Sequence, residues 1–123
     1  MKAAIVVLSD PNAGEEALGR VFNALAAAYD FKANGNDVRI YFNGTGTRWP
    51  AALSNASHPI NALFQAVKAS IVGVSSGCAD VFGSREGAEK AGFALVRENI
   101  VPGTSGLPSV ANIVADGYTV LTF

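Results

Sequence analysis

The chain has 123 residues, the length of one ordinary domain that encloses its own core without metal or disulfide staples, and residues 1–123 read as a single domain. Hydrophobic residues make up 50% and charged residues only 15%, below the roughly 25% of average soluble proteins, so some apolar surface remains for self-association. A net charge of −1 with nine scattered Lys and Arg gives no basic stripe for nucleic acid, and no apolar stretch approaches the roughly 20 residues needed to span a bilayer.

Ala3 to Leu8 is a short apolar run rich in β-branched residues, the pattern of a strand covered on both faces. It ends at Ser9-Asp10-Pro11, too soon for a signal peptide. Asn12 is expected to cap the following helix, with Glu15 completing a capping box and Glu15 and Glu16 complementing the helix dipole. Leu18, Val21, Phe22, Leu25 and Tyr29 recur at helical spacing and are expected to pack on the sheet as one stripe. Asn34-Gly35-Asn36 closes that helix and Val38 to Phe42 forms a second strand. The segment Asn43 to Pro50 follows directly and reads as a loop whose glycines permit tight turns and close backbone approach. A helix is expected from about Pro59, with Ile60, Leu63, Phe64 and Val67 on its buried face, and Ser70 to Val74 is the third strand. Beyond it, Cys78 to Phe82 makes one helical turn that Gly83 interrupts, and Ser84 caps a short helix towards Lys90. Ala94 to Val96, or Ile100-Val101, supplies a short fourth strand. Pro108 opens a helix with Val110, Ile113 and Val114 on one side, Gly117 stops it, and Tyr118 to Phe123 is the last strand. Strands separated by helix-bearing intervals predict a three-layer α/β/α sandwich with a mostly parallel sheet of about five strands.

Cys78 carries most of the chemical information. It is the one cysteine, so no internal disulfide forms and a reducing cytoplasm is the simplest home. It sits where an apolar run ends and a helix begins, the edge at which ligands of open α/β sheets collect, and a helix N-terminus favours thiolate over thiol. The competing reading is a small buried hydrophobe, since free cysteine is among the most buried residue types. Ser75, Ser76 and Gly77 make a polar approach whose N–H groups and hydroxyls can hold a sulfur anion, whereas a carboxylate at Asp80 opposes one. His58 is the one histidine and precedes Pro59 at a helix start, which reads as a capping or surface residue rather than the base of a Cys/His pair. One Cys and one His fall short of a zinc ligand set, and no metal or cofactor is expected.

Gly44-Thr45-Gly46 starts like a dinucleotide-binding loop, but the third glycine is absent and Trp49-Pro50 stands where a helix should run. A phosphate site there or at Ser9-Asp10 remains an alternative. Within Asn43 to Pro50, Arg48 can neutralise an anionic sulfur donor and Trp49 can wall a pocket; the same pair also suits a subunit interface.

Four stretches together, Ile5-Val6-Val7 with its helix, Tyr41 to Trp49, Gly73 to Gly83 and Asp116 to Phe123, resemble the DsrE/DsrF-like family over nearly the whole chain. Cys78-Ala79-x-x-Phe82-Gly83 and Asp116-Gly117-Tyr118-x-Val120-x-x-Phe123 are the most specific parts. The resemblance implies a parallel α/β fold of the DsrEFH kind, assembly into dimers, trimers or hexamers, and a role in sulfur relay, in which a loop cysteine at the position of Cys78 accepts sulfane sulfur as a persulfide. Donor and acceptor proteins are then the expected partners. Where the most similar sequences of this type have Cys-x-x-Cys, this chain has Ser75, so a dithiol cycle within one subunit is excluded while single-cysteine transfer survives. A non-catalytic module binding a small anion or nucleotide, and a thiol redox sensor, are the other readings.

Overall fold

The computed structural model describes all 123 residues. Five strands, β1 (Lys2–Val7), β2 (Asp37–Phe42), β3 (Ile71–Ser75), β4 (Leu95–Val96) and β5 (Thr119–Thr122), form one sheet in the order β4-β3-β2-β1-β5. Every neighbouring pair is parallel. The helices are α1 (Glu15–Ala33), α2 (Trp49–Leu53), α3 (Asn61–Val67), α4 (Ser76–Val81), α5 (Arg85–Lys90) and α6 (Val110–Ala115), with 3₁₀ turns at Gly44–Arg48 and Lys68–Ser70. None is long and apolar enough to cross a membrane.

Alternation along the strands assigns the two faces. Ala3, Ile5 and Val7 of β1 and Val38, Ile40 and Phe42 of β2 enter the larger core, which α1, α2, α3 and α5 cover through Val21, Leu25, Leu53, Phe64, Val67 and Ala88. Ala4, Val6 and Tyr41 face the other way, into a smaller cluster closed by Ile113 of α6 and by Tyr118. The sheet therefore lies between helices on both sides, but α6 alone serves the second. Chain direction explains this asymmetry: β1 to β4 advance one way across the sheet and β5 returns to the far side of β1, so crossovers of one hand put the returning helix on the opposite face.

Three local expectations are corrected. Asn12 does not cap α1; its N–H donates to Asp10 Oδ1 in a tight turn, and Gly14 occupies the cap position without a side-chain bond. The buried stripe of α1 is Ala17, Val21, Ala24, Leu25 and Ala28, while Phe22 and Tyr29 are 49% and 53% exposed, because alanines let the helix sit close to the sheet along a line rotated from the large residues. The third helix begins at Asn61 rather than Pro59, after a turn in which His58 Nδ1 accepts the Ile60 N–H at 3.3 Å. Of the two candidates for the fourth strand, Leu95–Val96 pairs with β3, and Ile100 is exposed.

The turn after β2 passes close to the end of β1. A Cβ placed on Gly46 would lie 2.3 Å from the Val7 carbonyl oxygen, so a side chain there displaces backbone. On α1, a Cβ at Gly19 meets nothing within 4 Å. Gly46→Ala is expected to cost about 2–4 kcal/mol and Gly19→Ala to add about 0.5–1 kcal/mol, both read from urea unfolding midpoints.

Candidate functional site at the carboxyl ends of the strands

Because the strands are parallel, the segments after β1, β2 and β3 meet at one edge. The residues after β2 are a 3₁₀ turn followed at once by α2, not an open loop; Pro50 falls in the first turn of α2, where its missing N–H costs nothing. This turn packs against α4, the helix that carries Cys78.

Cys78 is partly buried, in the first turn of α4. Its own N–H donates to Ser75 Oγ at 3.3 Å, so Ser75, fully buried at the end of β3, serves as the helix cap. Ser76 is also fully buried. Gly77 N–H donates to the Gly106 carbonyl at 2.6 Å, and a Cβ on Gly77 would lie 2.9 Å from Leu107 Cδ1 and 3.2 Å from the Gly106 oxygen. The N–H groups of Gly77 and Cys78 are thus spent inside the protein, and Gly77 is needed for close approach by Thr104–Leu107.

Asp80 is held from two sides. Arg85 Nε donates to its Oδ1 at 2.6 Å and Arg85 Nη2 to Oδ2 at 3.1 Å, while Ser105 Oγ donates to Oδ2 at 2.6 Å. Since the Ser105 proton is committed to Asp80, Ser76 is the donor in the 2.7 Å contact between the two hydroxyls, and Arg85 Nη2 donates to Ser76 Oγ at 2.9 Å. The Arg85 guanidinium and the Ser105 hydroxyl hold the Asp80 carboxyl down at about 2. Arg85 and Ser105 carry no mark in the sequence. Gly83 breaks the helix between Asp80 and Arg85, and Ser105 is brought in only by the chain path from β4 to α6. The one local signal is the pair of glycines, Gly103 and Gly106, flanking Thr104-Ser105 as a turn.

The other residues singled out from the sequence are committed elsewhere. Arg48 Nη1 pairs with Asp10 Oδ2 at 2.9 Å, its Nε and Nη2 donate to the Phe82 carbonyl at 3.4 and 3.2 Å, and the guanidinium lies 5.9 Å from the Phe82 ring centre. It thereby ties β1's exit to the end of α4. Trp49 is 2% exposed in the larger core and donates its indole N–H to the Ser9 carbonyl at 2.7 Å; the chain's own core covers it, which removes the interface reading for this residue. Its ring meets His58 edge-on at 6.4 Å, and both line a cavity of about 420 Å³ beside the start of α1, away from Cys78. Gly44 begins the 3₁₀ turn, its carbonyl accepting from Thr47 Oγ1, which also contacts Ser84 Oγ at 2.6 Å. That contact occupies the hydroxyl expected to cap α5, and Ser84 makes no cap bond. Asn43 N–H donates to the Val7 carbonyl, while its Oδ1 is buried without a partner. No group of three or more His, Cys, Asp or Glu side chains converges to hold a metal ion.

A second feature lies where the strand order reverses. Leu8, Ser9, Arg20, Thr122 and Phe123 line a cavity of about 400 Å³ beyond β1 and β5, the place where open α/β sheets commonly seat ligands.

The fold and this edge define a small parallel α/β protein with one partly exposed thiol beyond its central strands. The model of the DsrE/DsrF-like family matches residues 1–123, and the chain belongs to that family. The uncharacterized protein MJ0733 of Methanocaldococcus jannaschii is 28% identical over 86 residues, 70% of each chain. Two solved structures share the fold: the conserved protein of unknown function BT1422 from Bacteroides thetaiotaomicron, with TM-score 0.64 and 16% identity over 99% of this chain and 94% of that one, and the ychN protein from E. coli, with TM-score 0.54 and 17% identity over the whole of both.

The acid limb of stability reports the Asp80 cluster. A carboxyl held near 2 in the folded protein and near 3.9 in the unfolded chain contributes stability that is present above about pH 4 and is lost as pH falls through about 2. Asp80→Asn is expected to flatten the fall in thermal midpoint between pH 4 and pH 2 relative to the unsubstituted protein.

Proposed function

We propose that this member of the family is a sulfur carrier of intracellular sulfur metabolism, working in the cytoplasm, with Cys78 as the carrying residue. The observation that carries this reading is the placement of the one thiol: partly exposed, in the first turn of the helix that follows β3, at the edge where the strand ends meet. Family membership supports a sulfur-relay-related role.

In the proposed reaction the Cys78 thiolate attacks the sulfane sulfur of a donor. A new S–S bond forms to Sγ, the bond between that sulfur and the rest of the donor breaks, and the donor remnant leaves as a thiolate or, from thiosulfate, as sulfite. An acceptor thiolate then attacks the outer sulfur and Cys78 departs as thiolate, so the cycle is complete without a second cysteine in the chain and without net oxidation. Cys78 lines none of the four surface cavities, which suits a donor and acceptor presented by other proteins more than a small molecule enclosed in a pocket. A homo-oligomer is part of the proposal: Ile100, Val110 and Val114 are exposed apolar residues, the last two on the lone helix of the thinly covered face.

The cavity between Leu8, Ser9, Arg20, Thr122 and Phe123 favours a second reading, a binding module whose ligand sits at the strand reversal with Cys78 uninvolved. Intact-protein mass spectrometry separates the two. After exposure to thiosulfate, polysulfide or a persulfidated protein donor, the unsubstituted protein is expected to gain one reducible sulfur atom and Cys78→Ser none. Equal gain in both, or none in either, refutes the carrier.

A further inference from the structure

Asp80 lies two residues beyond Cys78 on the same short helix, and its carboxylate is exposed. A free carboxylate at that distance works against a sulfur anion, because two like charges in one neighbourhood disfavour each other. The structure does not leave it free. Arg85 grips both oxygens, the Ser105 hydroxyl adds a third bond, and Arg97 contributes a more distant positive charge.

The direction of the grip matters as much as its charge. Ser76, Gly77 and Asp80 all engage the Thr104–Leu107 segment or its Arg85 partner, which places that segment on one flank of α4. With about 100° per residue, Cys78 stands about 160° round the helix axis from Asp80, on the opposite flank. The Gly44–Arg48 turn also packs against α4, and Arg48 anchors the Phe82 carbonyl just beyond it. By helical spacing, the residue that Arg85 grips lies on the flank of α4 opposite Cys78.

We infer that Arg85 is a positioning residue for Cys78: by pairing with both oxygens of Asp80 and turning them toward Ser105, it cancels the repulsion that residue 80 would exert on an anion at residue 78. This rests on the reading of Cys78 as the reacting thiol and adds to it a control on how readily that thiol reacts. The electrostatic liability that Asp80 presents in the sequence is resolved inside the chain, by a residue beyond the next glycine.

The test compares the rate at which iodoacetamide, a neutral reagent, modifies Cys78 in the full chain at pH 7 and low ionic strength. Arg85→Gln is expected to slow the reaction about three- to tenfold, by uncovering the Asp80 charge, and Asp80→Asn to quicken it severalfold, by leaving the Arg85 charge uncompensated. The double substitution Asp80→Asn/Arg85→Gln is expected to return to within about twofold of the unsubstituted protein, a rescue that a purely structural role for the ion pair would not give. An unchanged rate in Arg85→Gln, or slowing that persists in the double variant, overturns the inference. Asp80→Asn decides the matter by itself should Arg85→Gln fail to fold, since an unchanged or slower rate there is equally fatal. Alkylation requires no sulfur donor, so failure of the carrier proposal would leave this comparison intact and the two failures are distinguishable.

Discussion

The chain's site depends on parallel pairing. All five strands run the same way, so the carboxyl ends of β1, β2 and β3 share one edge, and the polar residues that follow each strand are delivered to it whatever their separation in sequence. Close backbone contact then fixes how those segments stack. Gly46 lies against the Val7 carbonyl and Gly77 against Leu107 and Gly106, which seats the turn after β2 on β1 and the segment before α6 on α4, and the turn after β2 also packs against α4. Neither glycine tolerates a Cβ without movement of its neighbours.

Side-chain bonds complete what the backbone begins. Arg48 reaches from the turn after β2 to Asp10 after β1 and to the Phe82 carbonyl after α4, joining three exits of the sheet with one guanidinium. Arg85 does the same on the other flank for α4, α5 and the Thr104–Leu107 segment. Arg48, which the sequence presents as a candidate anion binder, and Arg85, which it does not mark, are thus both largely saturated by the protein's own acceptors. What remains with chemical freedom at this edge is the thiol, together with the unpartnered Asn43 Oδ1.

The sequence was legible where one physical signal dominates. Continuous β-branched runs marked β1, β2 and β3 to within a residue or two, and Gly35, Gly83, Gly92 and Gly117 marked the stops of four helices. It was less legible where two signals compete. Phe22 and Tyr29 have helical spacing and bulk, yet the small residues Ala17, Ala24 and Ala28 won the sheet-facing stripe because they allow close packing. Asn12 is a good cap, but it lies two residues before the cap position and its backbone N–H is bound to Asp10. The site was half legible: Cys78, its Ser75 cap and the close-packed Gly77 stand in one heptapeptide, whereas Arg85 and Ser105 are joined to Asp80 across a helix break and a 25-residue separation that no periodicity spans.

The two margins of the sheet differ in a way that bears on solubility. β4 has two paired residues, Leu95 and Val96, and offers an incoming strand almost no backbone to match, whereas β5 presents four. Short rims are one of the means by which proteins avoid unwanted ribbon growth. The margin nearest Cys78 is therefore blunt, and any extension of the sheet by a foreign strand is confined to the far side, beyond β5, where it would leave the thiol uncovered.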